Sequence, residues 1–250
     1  MAYDQWARGR EQFNTLTREG ILEARRLFAA AIERDPRFAR ALGQLANTYV
    51  AEQDLQYTPR RADVTRAAVE LAKRAVAIDP VDSQLRWVLS RTLLWDSQYE
   101  EAIAEMRTVL QRDPDFANGH AFMTQILTFA GRAEDALPHI ERALRMEVYH
   151  PFWYYGVRGN ALFMLGRYEE AVADYRRALE RNANSIFSRR HLASALGHLG
   201  RISEAEWEIA ELETQIGRPF EFTDVDLFIF YVAPSYRDRL IEGLRKAGLR

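Results

Sequence analysis

A single spacing governs what this chain can fold into. Alanines recur at Ala24, Ala68, Ala102, Ala136, Ala171 and Ala205, in steps of 44, 34, 34, 35 and 34 residues. A small residue precedes each: Gly9, Ala46, Ser90, Thr124, Gly159 and Ala193, whose later steps are 44, 34, 35 and 34. A third column reads Ala31, Ala75, Val109, Ala143, Ala178 and Leu212. Self-similarity at a fixed period of 20–50 residues marks an array of supersecondary units, each burying its apolar face against the next. The punctuation between the columns fits helix, turn, helix, turn. Asp-Pro closes three units at Asp35-Pro36, Asp79-Pro80 and Asp113-Pro114, and Gly131, Gly166 and Gly200 close the first helix of three others. Proline cannot continue a helix, and glycine takes the left-handed cap without steric cost.

Inside the units the apolar spacing is helical. Tyr168, Ala171, Val172, Tyr175, Ala178 and Leu179 follow i, i+3, i+4, i+7. No long window alternates with period two, so no sheet is expected. The prediction is an all-α chain of six helix-turn-helix repeats over 2–36, 37–80, 81–114, 115–151, 152–184 and 185–217. The first carries extra residues around Thr15-Leu16-Thr17, the second about ten extra over 54–63, and the fourth ends in 146–151 without Asp-Pro. Insertions in such arrays fall on loops, as binding elements or as tolerated drift.

The period, the small-residue column, the Tyr-Glu-Glu-Ala segments at 99–102 and 168–171 and the Asp-Pro ends together resemble the tetratricopeptide repeat. The resemblance covers about residues 3–217 and implies a right-handed α–α superhelix whose first helices line a concave groove. It implies that the groove is faced by Trp6, Arg10, Phe13 and Asn14 in the first unit, Asn47 and Val50 in the second, and Trp87, Arg91, Leu94 and Trp95 in the third. Gln125 and Phe129 face it in the fourth unit, Trp153, Asn160 and Phe163 in the fifth, and Phe187, Arg190, Ser194 and His198 in the sixth. Aromatic rings interleaved with arginines and amides suit an extended peptide: amides bond its backbone, guanidinium groups its carboxylates, and rings bury its apolar side chains. Core filling by the rings and a merely solvated polar column are the alternatives. Some members of the family clamp a C-terminal carboxylate with a defined cationic set. Trp6 and Val88 stand where cations of that set belong, so that function is not carried over.

An array leaves its last face bare, so residues 218–250 are expected to cap it. Phe220, Phe222, Leu227, Phe228, Phe230, Tyr231 and Val232 supply apolar cover, and a helix is expected to start with Ser235 as its cap and to end near Gly248. The alternative is that 227–232 forms a dimer interface. Both ends carry a narrower resemblance. Ala2-Tyr3-Asp4, Arg8-Gly9-Arg10, Thr17-Arg18-Glu19-Gly20 and Ala24-Arg25-Arg26-Leu27-Phe28 resemble the opening of a repeat region found behind the catalytic domain of bacterial class III adenylate cyclases, and behind the winged helix of some bacterial transcriptional activators. Residues 236–249 are similar to the cyclase group's terminus. This implies a regulatory or scaffolding part of a signalling protein, or a stand-alone relative.

Composition narrows the function classes. With 34 Lys+Arg against 36 Asp+Glu the net charge is −2, without the basic excess of nucleic-acid or anionic-membrane binders. The chain has no cysteine, which excludes disulfides, thiolate metal sites and cysteine nucleophiles. Only Lys73 and Lys246 are lysines; the arginine excess reads as coding bias or as carboxylate and phosphate recognition. The longest apolar run, 227–233, is too short for a bilayer, and the N-terminus lacks a basic segment followed by an apolar one, so the expected location is the cytoplasm. Of five histidines only His191 and His198 share a helix face, with no carboxylate at ligand spacing. Asp224 and Asp226 read as helix-start acids, and there is no glycine-rich phosphate loop or nucleophile elbow. The expectation is a non-catalytic module, without cofactor or metal, whose partner is a protein or peptide segment. A self-assembling scaffold held through its terminal cap is the alternative.

Overall fold

The punctuation residues set the helix limits. A computed structural model describes residues 1–54, 62–147, 149–229 and 232–249, apart from the side chains of 53–54 and 226–229. The expected insertion over 54–63 and much of the aromatic segment 227–232 therefore lie largely outside the described residues. The described residues form helices and no strand. Two compact units result, 1–114 and 115–250. The first unit contains α1 (Ala2–Phe13), α2 (Arg18–Arg34), α3 (Ala39–Asp54), α4 (Ala62–Ile78), α5 (Ser83–Trp95) and α6 (Tyr99–Arg112). The second contains α7 (Ala117–Phe129), α8 (Ala133–Met146), α9 (Trp153–Met164), α10 (Tyr168–Arg181), α11 (Ile186–His198), α12 (Ile202–Ile216), α13 (Phe222–Ile229) and α14 (Pro234–Lys246). Within each unit, consecutive helices pair into hairpins, and each hairpin stacks on the next.

Turns follow the expected chemistry. Gly131, Gly166 and Gly200 adopt φ of 80°, 73° and 70° between the two helices of their hairpins. Ser97 occupies the equivalent place between α5 and α6, five residues before Ala102, at φ 61°. A Cβ disfavours that conformation. Ser97→Gly is expected to stabilise the protein by roughly 0.5–1 kcal/mol, read as a higher melting temperature. After the second helices, Asp35 and Asp79 accept the backbone N–H of Arg37 and Val81 at 3.0 and 3.3 Å, and Asn182 does the same for Asn184 at 3.2 Å. Thr17 and Asp82 cap α2 and α5.

The small-residue column sets how closely the helices of a hairpin approach. Gly9 faces Phe28, and a Cβ on Gly9 would stand 2.6 Å from that ring. Gly159 faces Tyr175 likewise, at 2.8 Å. Where the second helix carries Ala72, Met106 or Ile140 at the same register, the first carries Ala46, Ser90 or Thr124. Ser90 and Thr124 also donate across the hairpin to the carbonyls of Ala102 and Ala136 at 2.8 and 3.3 Å. Ring and glycine, or smaller side chain and added Cβ, fill one volume, as close packing demands.

The terminal segment departs from expectation in one respect. α14 starts at Pro234, and Ala233, not Ser235, is its cap residue. Proline lacks an N–H and has its φ preset, so it fits the first helical position, where no intrahelical donor is needed.

Candidate peptide-binding faces

In the first unit, the first-helix face is built by α1, α3 and α5. The Arg10 guanidinium lies 5.0 Å from the Trp6 ring centroid, and Trp6 packs against Tyr3 and Phe38 at 5.3 and 5.8 Å. Arg91 on α5 donates to Asn47 Oδ1 on α3 at 2.7 Å and stands 5.6 Å from the Trp87 ring. Arg10 and Asn14 are exposed, Trp87 and Arg91 half-buried, and Trp6, Asn47 and Trp95 buried. Trp6 joins the core cluster of Ala24, Phe28 and Leu45, so its ring fills core while its neighbour Arg10 meets solvent. The exposed pair of Arg10 and Asn14, with the Asn47–Arg91–Trp87 group, offers charge, amide and ring edges together. These groups suit carboxylate and backbone recognition.

In the second unit, the same face is built by α7, α9 and α11. Gln125 and Trp153 are half-buried. Asn160 is buried and accepts from the Tyr175 hydroxyl at 2.8 Å. Arg190 is buried over Phe187, and Ser194 is buried beneath α14. Ser194 Oγ donates to the Leu240 carbonyl at 2.9 Å, and His198 Nε2 bonds the Arg239 carbonyl at 2.8 Å. The Tyr236 hydroxyl meets His191 Nε2 at 2.9 Å, and its ring packs edge-on against Phe129. Ala233 N–H donates to the Phe129 carbonyl at 2.8 Å, and the Arg239 guanidinium reaches the carbonyls of Phe163 and Met164. The terminal helix thus lies against the ends of α7 and α9 and along α11. It packs on four of the residues assigned to a groove, Phe129, Phe163, Ser194 and His198.

The histidines are engaged in this packing. His191 Nδ1–H donates to the Phe187 carbonyl at 2.8 Å, which leaves Nε2 to accept from Tyr236. Burial holds its pKa well below the ordinary range, Arg190 adds to that effect, and the Phe187 carbonyl opposes it. His198 stacks flat on Tyr168 at 4.5 Å and is lowered for the same first cause, partly offset by the Arg239 carbonyl. No group of three or more His, Asp or Glu among the described residues is placed to hold a metal ion.

One pattern escaped the sequence reading. Four residues before the small column and three after the alanine column, the hairpins are cross-linked. Arg86 pairs with Glu105 at 2.6 Å, and Arg189 with Glu208 at 2.9 Å. His120 and His139 take these positions in α7 and α8, with Nδ1 atoms 3.0 Å apart. In the fifth hairpin Asp174, almost fully buried, keeps the acid's register but takes a bidentate pair at 2.6 Å from Arg158, one residue before Gly159. Burial raises the Glu208 pKa against the pull of Arg189. A cavity of about 240 Å³ beside Arg158 is lined by Glu141, Arg167, Glu170, Asp174 and Arg177 as well. Arg167 and Glu170 form a second bidentate pair there, so the opening carries little net charge. The signal was Arg and Glu at one register in the third and sixth hairpins, visible only once both columns are aligned.

The tetratricopeptide repeat family model matches residues 64–126 and 152–185. No curated protein matches the chain. Among solved structures, the chain is similar to TTC0263, a thermophilic TPR protein of Thermus thermophilus, with TM-score 0.61, 22% identity, and 78% of this chain and 99% of that one covered. It is similar to a tetratricopeptide repeat protein of Parabacteroides merdae, with TM-score 0.61, 12% identity, and 99% and 92% covered. It is also similar to a chain of the APC/C hetero-tetramer Cut9-Hcn1, with TM-score 0.73 and 15% identity, where 97% of this chain covers 43% of that one. At these identities the likeness shows the fold, an α–α solenoid. No described helix is long and apolar enough to cross a membrane. The matched segments fall on hairpins of recurrent 34-residue spacing, and those two stretches are similar to tetratricopeptide repeats.

Proposed function

We propose that this protein is a non-catalytic module that binds a protein or peptide segment on its first-helix faces. The observation that carries the reading is the Asn47–Arg91–Trp87 group: an amide, a guanidinium and a ring from two consecutive hairpins, held by a 2.7 Å bond. With Arg10 exposed on α1 and Asn14 exposed just past its end, the first unit offers the more open of the two faces. Gln125 and Trp153 are the half-buried counterparts in the second unit, where Asn160, Arg190 and Ser194 serve packing as well. The ligand chemistry that fits is an extended segment bearing a carboxylate and an aromatic or aliphatic side chain. Tetratricopeptide repeats generally mediate protein and peptide binding. The resemblance of the opening segments to cyclase and activator repeat regions, and of residues 236–249 to the cyclase group's terminus, is the ground on which we read a regulatory or scaffolding place in a bacterial, cytoplasmic signalling protein. Self-assembly through the terminal cap is the weaker reading, since Tyr236, Leu240 and Leu244 face inward and are buried.

The test is a random peptide library displayed on phage and selected on the wild-type chain. Arg91→Ala is expected to weaken the selected peptides at least tenfold, about 1.4 kcal/mol, with the helical circular dichroism unchanged. Unchanged affinity in Arg91→Ala and Arg10→Ala, or a library without binders, would move function off this face.

A further inference from the structure

α14 is held through its main chain as well as through its buried side chains. Two side chains of α11, Ser194 and His198, hold backbone carbonyls of α14, at Leu240 and Arg239. Side chains that grip main-chain carbonyls read a helix as such, whatever its sequence. Selectivity comes from close approach. A Cβ on Gly243 would stand 2.2 Å from Ser194 Oγ and 2.4 Å from Ser194 O, and a Cβ on Gly197 would stand 2.1 Å from the Gly243 carbonyl. Ala247 lies next along the same line, and no larger side chain fits at Gly243. Tyr236 then fills the space between Phe129, Phe163 and His191. The buried residues of α14 are Tyr236, Leu240, Ile241, Gly243 and Leu244, with Ala247 just past its end, while Arg237, Asp238, Glu242, Arg245 and Lys246 form its charged outer side.

We propose that this face of the second unit is a helix-docking site, that α14 is its built-in occupant, and that a partner helix with the same stripe competes with α14 for it. The partner is an amphipathic helix with a tyrosine, then leucine four residues on, glycine three further and alanine four beyond that. The proposal rests on the peptide-binding reading above and gives the second unit a partner class and a regulator. α14 is joined to α12 through residues 217–233, a stretch that carries α13. A tethered segment competes at an effective concentration on the order of millimolar, so the face stays closed to weak ligands.

The experiment uses the full chain and a fluorescein-labelled synthetic peptide of residues 232–249, followed by anisotropy. Gly243→Leu in the chain drives α14 off the face but leaves the face itself unaltered. This variant is expected to bind the wild-type peptide at least tenfold more tightly than the wild-type chain does, and a peptide carrying Gly243→Leu is expected not to bind. Equal binding, or none to either chain, overturns the proposal. If Gly243→Leu loses helical circular dichroism, Leu240→Ala in the chain is read the same way, and loss of helix in both makes α14 integral to the fold and ends the proposal. Wild-type dimers in light scattering that vanish in Gly243→Leu would assign the face to the tail of a second copy and overturn a separate partner. Failure here with Arg91-dependent binding intact separates this proposal from the peptide-binding reading of the first unit.

Discussion

Tyr175→Ala is expected to be among the most damaging single changes in the chain. The ring is fully buried between α9 and α10, and truncating a buried aromatic costs about 3–5 kcal/mol. Asn160, 1% exposed, loses the hydroxyl that donates to it, which adds to the loss. For a chain of this size the melting temperature should fall by roughly 6–20 °C. The pairing with Gly159 supplies a sharper test. Gly159→Ser alone sets a Cβ about 2.8 Å from a ring that cannot swing, because its hydroxyl is held by Asn160, and should cost roughly 1–3 kcal/mol. Gly159→Ser with Tyr175→Met recreates the Ser90–Met106 match of the third hairpin. The double variant should therefore be more stable than the sum of the two single changes, by at least about 1 kcal/mol in a double-mutant cycle. Strict additivity in thermal or urea unfolding would show that the two positions do not share a volume.

Mild acid should be the second large effect. His191 is buried and neutral, with Nδ1–H on the Phe187 carbonyl and Nε2 on the Tyr236 hydroxyl. In the unfolded chain a histidine takes up its proton near pH 6.5, while burial holds the folded group well below that. Between those two values the unfolded state binds more protons, so stability falls as pH drops below about 6.5 and is fully present above it. From pH 7 to pH 5, His191 should lower the stability, with about 2 kcal/mol as the limit reached when the folded group stays neutral throughout. His198, lowered by partial burial, acts in the same direction. Carboxylates held low by arginine, such as Asp224 beside Arg218, lose their contribution only at lower pH, as they protonate. Urea unfolding at pH 7 and pH 5 reads the effect, and His191→Gln should flatten it. An unchanged slope in that variant would place the acid sensitivity elsewhere.

The repeating helices were legible because their causes are local. Gly131, Gly166 and Gly200 announce a left-handed residue, and Asp35 and Asp79, each followed by proline, announce a turn. The fate of the polar column was less legible. Asn47 and Arg91 stand 44 residues apart and find each other only after the hairpins stack. Asn160 turns back to its own hairpin because Tyr175 brings a hydroxyl to it. Ser194 meets a carbonyl 46 residues away. That contact depends on Gly197 and Gly243 being bare on facing helices, and neither glycine sits at a turn that would have drawn notice. Ser97 was missed for the opposite reason: a serine stands where glycine was the expected sign.

The volume match inside each hairpin also constrains how such an array can lengthen. A duplicated stretch that begins and ends between hairpins carries both halves of its match and stacks at once. A breakpoint inside a turn would join the first helix of one hairpin to the second helix of another, for instance Thr124 to Tyr175, and crowd the ring. New copies are therefore tolerated as whole hairpins, and single helices are not interchangeable parts.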